Sequence, residues 1–231
     1  MLKLTHFRLC PHSRSIRLAL GELEMAAEFA EERPFDYRPA FLALNPAGEL
    51  PVLQVEGALM LSGAYAISEY LAETTPRHPV TGHLSPLFPG NIEARAEIRR
   101  LVDWWHGKFH REVTRELLQE KVYLRLMSAA QANPDPAVLR AIRANLRYHL
   151  SYVAFLAHQR RWLAGDEMSF ADLAAGAHLS VVDFLGEVAW EDYPAAKAWY
   201  VRMKSRPSFR TLLADRVAGT PPPVHYTDLD F

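Results

Sequence analysis

The only cysteine of the chain stands in Cys10-Pro11-His12-Ser13, after a short alternating run and before an apolar-striped segment. A thiol at the start of a helix feels the N-terminal dipole, which favours the thiolate. Ser13 could donate a hydroxyl hydrogen bond to that anion. The same residues also fit a plain helix start with Ser13 in its first turn, and the motif alone does not separate the two. A second candidate is Glu49-Leu50-Pro51-Val52-Leu53. Proline cannot donate to a sheet ladder, so Pro51 belongs at the first residue of a strand. Beside a cleft, Leu50-Pro51 is a candidate cis peptide, which exposes neighbouring backbone polar groups, and the alternative from these residues alone is an ordinary trans bond entering a strand. His106 and His110 share the i, i+4 spacing that could hold a metal between them. No third ligand is visible in the sequence, so a solvated helix face without metal is expected there.

These residues must be positioned by two kinds of element. Leu2 to Phe7 alternates as a first strand, Ser15 to Leu23 carries a helical stripe, and Ala27 to Arg33 fits a second strand. Phe35 to Asn45 reads as irregular. Val52-Leu53-Gln54-Val55 and Ala58-Leu59-Met60-Leu61 make a hairpin about Glu56-Gly57, and Ala64 to Thr74 a closing helix. This βαβ then ββα order predicts a thioredoxin-like domain over 1–75. Pro76, Pro79, Pro86 and Pro89, with Gly82 and Gly90, mark 76–90 as a linker. From 91 to 214 the pattern is helical. Asn91 caps a segment from Ile92 to about Lys121, Ala137 to Gln159 forms another helix, and Trp104-Trp105 should lie half in the core and half in the domain cleft. Ser169 and Asp172 have capping-box spacing, with Met168 as a possible staple, worth about 1 kcal/mol. Residues 215–231 form a proline-rich acidic tail.

Composition narrows the function classes. Hydrophobic residues make up 49% of 231, enough for substantial cores, and a net charge of −1 without a basic stripe gives nucleic acid no footprint. One cysteine rules out an internal disulfide and suits a reducing compartment. No apolar run approaches about 18 residues, and the first residues are too short and polar for a signal peptide. A cytoplasmic protein without a membrane span is expected.

The Pro51 loop, the Ala66-Ile67-x-x-Tyr70-Leu71 helix, Leu163-Ala164-Gly165, the Ser169–Asp172 box and Arg206-Pro207-Ser208-Phe209 fall in the order of the glutathione transferase superfamily. The chain resembles that family over roughly residues 1–212. The resemblance implies an α/β plus all-α fold, with a thioredoxin-like N-terminal domain and a helical C-terminal domain. Cys10 resembles the cysteine-type pattern of the omega and beta classes, which implies a nucleophile forming a mixed disulfide with glutathione, aided by Ser13. One position departs from the family. The register set by Ile67, Tyr70 and Leu71 places Gly63 and Ala64 where the family writes Glu-Ser or Gln-Ser to hold the γ-glutamyl end. Each lost charged contact costs on the order of 1.5–3 kcal/mol. The glutathione site formed by Cys10, Ser13, Leu50, Pro51, Gly63 and Ala64 is therefore expected to be degenerate, with no cofactor and no catalytic residue. The alternative is a cysteine-type glutathione or thiol transferase using Cys10 and Ser13.

Gly219 to Pro223 should be extended in polyproline II geometry, ahead of Val224-His225-Tyr226-Thr227-Asp228-Leu229-Asp230-Phe231. Two readings of this end stand side by side. It either packs along its own helical domain or presents Asp228, Leu229, Asp230 and Phe231 to a partner as a short linear motif. With the weakened site, the tail resembles the glutathione-transferase-like cell-division proteins. That resemblance implies a homodimer without transferase activity, which binds, curves or bundles filaments of FtsZ at the division site.

Overall fold

Strand formation in the first third follows the alternation in the sequence. The computed structural model describes residues 1–56, 58–75, 86–127 and 133–229. β1 (Leu2–His6), β2 (Ala27–Glu31), β3 (Val52–Val55) and β4 (Leu59–Ser62) form one sheet in the order β2-β1-β3-β4. β1 pairs parallel with β2 and antiparallel with β3, and the register sets Leu4 opposite both Phe29 and Leu53. β3 and β4 are the expected hairpin, whose turn residue Gly57 lies outside the described residues. α1 (Pro11–Glu22) makes the parallel crossover, and α3 (Ala64–Thr74) closes the unit. β2 stops at Glu31, short of the expected Arg33, because Pro34 opens a 3-10 turn over Pro34–Asp36. Part of the segment expected to be irregular is helical. Pro39 fixes the first turn of α2 (Pro39–Leu44), and Phe41 anchors that turn at 1% exposure.

The second half is helical. Asn91 Oδ1 accepts from the Ala94 amide, so Asn91 caps α4 as its side chain suggests. α4 covers residues 92–127 and outlasts the expected end near Lys121, because two stretches, Trp104–Thr114 and Gln119–Tyr123, are π-helical and carry the rod on. The remaining helices are α5 (Pro136–Gln159), α6 (Phe170–Phe184), α7 (Pro194–Lys204) and the short α8 (Arg210–Leu213). Every residue of α6 is buried. Its capping box is formed, and Asp172 also accepts from the Leu163 amide at 2.8 Å and from Trp199 Nε1 at 3.0 Å. Burial pushes the Asp172 carboxyl up to about 6, while these donors and Ser169 pull it back.

Residues 76–85 of the expected linker lie outside the described residues. The end of that linker is packed rather than free, for Leu87 and Phe88 are buried and Leu87 O accepts from the Phe170 amide at 2.8 Å. Trp105 is fully buried. Trp104 is not in the domain cleft, since its indole donates to His149 Nδ1 at 3.1 Å and its ring packs on Tyr148 and Tyr152.

α1 joins the two halves by lying against α6. Its Arg14 is fully buried and reaches Asp215 Oδ2 at 3.1 Å, Ser180 Oγ at 2.7 Å and Tyr226 OH at 3.2 Å. Arg17 holds both oxygens of the same Asp215 at 2.8 and 3.1 Å. Asp215, the first residue of the expected tail, therefore ties the tail to α1. Pro223 is extended, and Val224–Thr227 forms a 3-10 turn that buries Tyr226 completely. His225 bonds to Asp183 at 3.1 Å. The tail packs on its own molecule through this turn, which the Asp228 amide closes on His225 O at 3.1 Å.

Candidate functional site

The Leu50–Pro51 peptide is cis, and Pro51 precedes the first residue of β3. Leu50 then meets the start of α1 across a cleft of about 320 Å³. Cys10, Pro11 and His12 line one side of it, Gly48, Glu49 and Leu50 another, and His106, His110, Arg115 and Tyr123 the α4 wall.

Cys10 occupies the N-cap position of α1, yet only 9% of it is exposed. Its thiol donates toward Leu50 O at 3.7 Å. Burial pushes the Cys10 thiol up, outweighing the Ser13 hydroxyl and the amides of His12 and Ser13, which would favour a thiolate. The helix dipole that argues for a thiolate is present, but desolvation wins. Ser13 is fully buried beside Cys10, and its Oγ has no hydrogen-bond partner among the described residues.

Gly63 is the N-cap of α3 with φ +84°, and a Cβ built there meets nothing within 4 Å. There is space for a side chain at the γ-glutamyl position, but the left-handed backbone disfavours one. Ala64 is buried in the core. The structure thus brings Cys10, Ser13, Leu50 and Pro51 around one corner and sets Gly63 and Ala64 at the start of α3, without a carboxylate or hydroxyl at either position. Asp228 and Leu229 lie beyond the docked turn and do not line the cleft. Asp230 and Phe231 lie outside the described residues.

The α4 wall is where the sequence reasoning fell short. His106 is 5% exposed and His110 half-buried, so their helix face is not solvated. They meet His12 from α1 and His178 from α6. The His12 ring stacks on His106 at 4.5 Å and packs edge-on against His110 at 4.5 Å. His106 Nδ1 lies 3.0 Å from His178 Nε2, Ser15 Oγ lies 3.2 Å from His106 Nε2, and Thr114 Oγ1 lies 3.0 Å from His178 Nδ1. Burial lowers His12 to about 4 and His110 to about 3, and drives His106 and His178 far below the ordinary value, so all four rings are neutral at pH 7. No sequence periodicity links residues 12, 106 and 178. Only the docking of α1 on α4 and α6 does.

The N-terminal domain of the glutathione S-transferase family matches residues 4–79, and its C-terminal domain matches residues 117–207. The chain is 45% identical over 231 residues to FtsZ-localized protein A of Caulobacter vibrioides, covering 99% of this chain and 97% of that one. Among solved structures, FzlA from C. crescentus superposes with a TM-score of 0.92 at 45% identity, covering 100% of this chain and 99% of that one. A glutathione S-transferase from Sinorhizobium meliloti superposes with a TM-score of 0.93 at 47% identity over 100% of both chains.

Proposed function

The chain belongs to the glutathione S-transferase family, and from that premise we propose that it is a non-enzymatic member which associates with FtsZ filaments in bacterial cell division and regulates their curvature or bundling. The observation that carries this reading is the end-to-end likeness to FtsZ-localized protein A, which includes the tail. The site chemistry supports it. A buried, protonated thiol is a poor nucleophile, and Gly63 and Ala64 offer a ligand's charged end neither a carboxylate nor a hydroxyl. A cytoplasmic homodimer fits this role, because two-fold related subunits present two identical faces to a filament.

Asp228, which caps the last turn, and Leu229 are both exposed while Tyr226 stays buried, so their side chains are available to a partner at the surface. Asp230 and Phe231 complete the proposed contact. The test is cosedimentation with FtsZ polymer alongside a thermal melt. Full-length protein should pellet with polymer. Asp228→Lys, or removal of residues 228–231, should weaken that at least tenfold while barely moving the melting temperature. Full binding by the truncated protein takes the tail out of the mechanism, and no pelleting of the full-length chain overturns the reading.

A second reading is favoured by the cleft itself, which opens at Cys10 with the Ser13 hydroxyl beside it. A cysteine-type glutathione or thiol transferase would bind glutathione there. Calorimetry decides between them. The first reading expects a Kd weaker than about 1 mM, a binding free energy weaker than about −4 kcal/mol. Saturable micromolar binding with turnover on a disulfide or electrophile establishes the second.

A further inference from the structure

We propose that the buried histidine cluster is a binding site for one divalent transition-metal ion of the zinc type, held by His12, His106 and His178 between the two halves of the molecule. One ring nitrogen from each of these residues lies within 4.8 Å of the other two. Zinc–nitrogen bonds of about 2.0–2.1 Å in a tetrahedral site set ligand nitrogens about 3.3 Å apart. His106 Nδ1 and His178 Nε2, at 3.0 Å, need only a small separation to reach that spacing. His12 would close by at most about 1.5 Å to complete the set.

The surroundings supply what a metal-bound imidazole needs on its far side, a hydrogen-bond partner that fixes the ring. Ser15 Oγ donates to His12 O at 2.8 Å, so toward His106 it can only accept, at 3.2 Å from Nε2. That places the His106 proton on Nε2 and leaves a lone pair on Nδ1, facing His178. Thr114 Oγ1 meets His178 Nδ1 at 3.0 Å and His110 Nδ1 at 3.1 Å. Without metal, His178 Nε2–H donates to His106 Nδ1, Thr114 donates to His178 Nδ1, and His110 Nδ1–H donates to Thr114.

Metal binding needs no net proton loss. The His178 proton moves to Nδ1 and is accepted by Thr114, the Thr114 hydroxyl turns to His110 Nδ1, and His110 carries its proton on Nε2. His106 Nδ1 and His178 Nε2 then present two facing lone pairs. His110 lines the cleft with His12 and His106, so the fourth position opens there for water. Three neutral imidazoles without a carboxylate or thiolate select Zn²⁺, Co²⁺, Ni²⁺ or Cu²⁺ over Mg²⁺ and Ca²⁺. Arg115 lines the same cleft, and its positive charge disfavours a bound cation there.

The test uses untagged, chelator-stripped full-length protein at pH 7.5. Calorimetry with ZnCl₂ should show one ion per chain, CoCl₂ should give the intense visible absorption of a tetrahedral site, and Zn²⁺ but not Mg²⁺ should raise the melting temperature. His178→Gln and His12→Gln should each lower zinc affinity at least tenfold and abolish the thermal shift. Thr114→Val, which removes the far-side partner of His178, should cost 10–100-fold. Substitution of the exposed His158 should change nothing. His12 is the least buried of the three ligands, so His12→Gln keeps the test decisive if His178→Gln does not fold. No zinc binding up to 1 mM, or undiminished binding by folded His12→Gln, overturns the proposal.

Discussion

α1 carries two buried polar regions that solve the same problem in opposite ways. At its N-terminal end, Cys10 and His12 line the cleft and the buried Ser15 bonds the His106 ring, in a neutral network linked ring to hydroxyl and ring to ring. On another face of the same turns, Arg14 and Arg17 meet the tail seam, where two cations are held by the single carboxylate of Asp215. Trimming one member of a neutral network leaves no charge behind, only an unsatisfied polar group at a cost of about 1–3 kcal/mol. An ion-paired seam loses much, because a buried guanidinium without its carboxylate keeps its full desolvation cost. The difference identifies the seam as the structural joint between the two halves and leaves the cleft able to vary.

The largest effect should come from the seam. Asp215→Ala strands Arg14 and Arg17 and should destabilise by about 3–5 kcal/mol in urea unfolding. Asp215→Asn, which keeps the shape, should show whether charge or packing is responsible. A loss under about 1 kcal/mol for Asp215→Ala would erase the contrast. Next is Tyr226, whose OH meets Arg14 at 3.2 Å and Leu212 O at 3.1 Å. Tyr226→Ala should cost about 3–5 kcal/mol as a buried aromatic, and Tyr226→Phe only about 0.5–1.5. In both, FtsZ pelleting should fall only with the folded fraction.

His6 sharpens the comparison through pH. It is 6% exposed, and its Nδ1 has no hydrogen-bond partner among the described residues. Burial, and then the Arg17 guanidinium, lower it to about 4. A folded-state value below the unfolded 6.5 means that its contribution is complete above pH 6.5 and is lost as pH falls from 6.5 through 4. At pH 5 that loss is on the order of 1–2 kcal/mol. His6→Leu should therefore retain more of its pH 7.5 stability at pH 5 than the parent does. Equal acid sensitivity would show that His6 is not a determinant.

The smallest effect is expected at Cys10. Cys10→Ala removes one buried sulfur and should cost about 1 kcal/mol or less, with FtsZ association unchanged. Alkylation of the parent thiol at pH 7 should be slower than that of a free cysteine. Fast labelling, or loss of function in the folded variant, would restore thiol chemistry. Restoring a carboxylate by Gly63→Glu is limited by backbone geometry, since a non-glycine residue at φ +84° is strained whatever space surrounds it.

Local rules carried much of the architecture. Alternation marked β1 and the β3–β4 hairpin, proline marked the entry to β3, and side-chain oxygens at Asn91 and Ser169 marked two helix starts. Each is a property of a few adjacent residues, so the sequence alone determined it. α2 was missed because six residues anchored by one phenylalanine have no period to read. The reach of α4 was underestimated because π-helical turns break the 3.6-residue spacing. Protonation at the candidate site was decided by tertiary structure. The dipole at Cys10 is local and favours a thiolate, but the burial that overrules it comes from Leu50 and the α4 wall. His106 and His110 read as solvated on their own helix, but His106 is buried and His110 half-buried because α1 and α6 pack against them. A chain specifies which groups it carries, but desolvation depends on what packs against them, and residues 12, 106 and 178 meet only once the two halves dock.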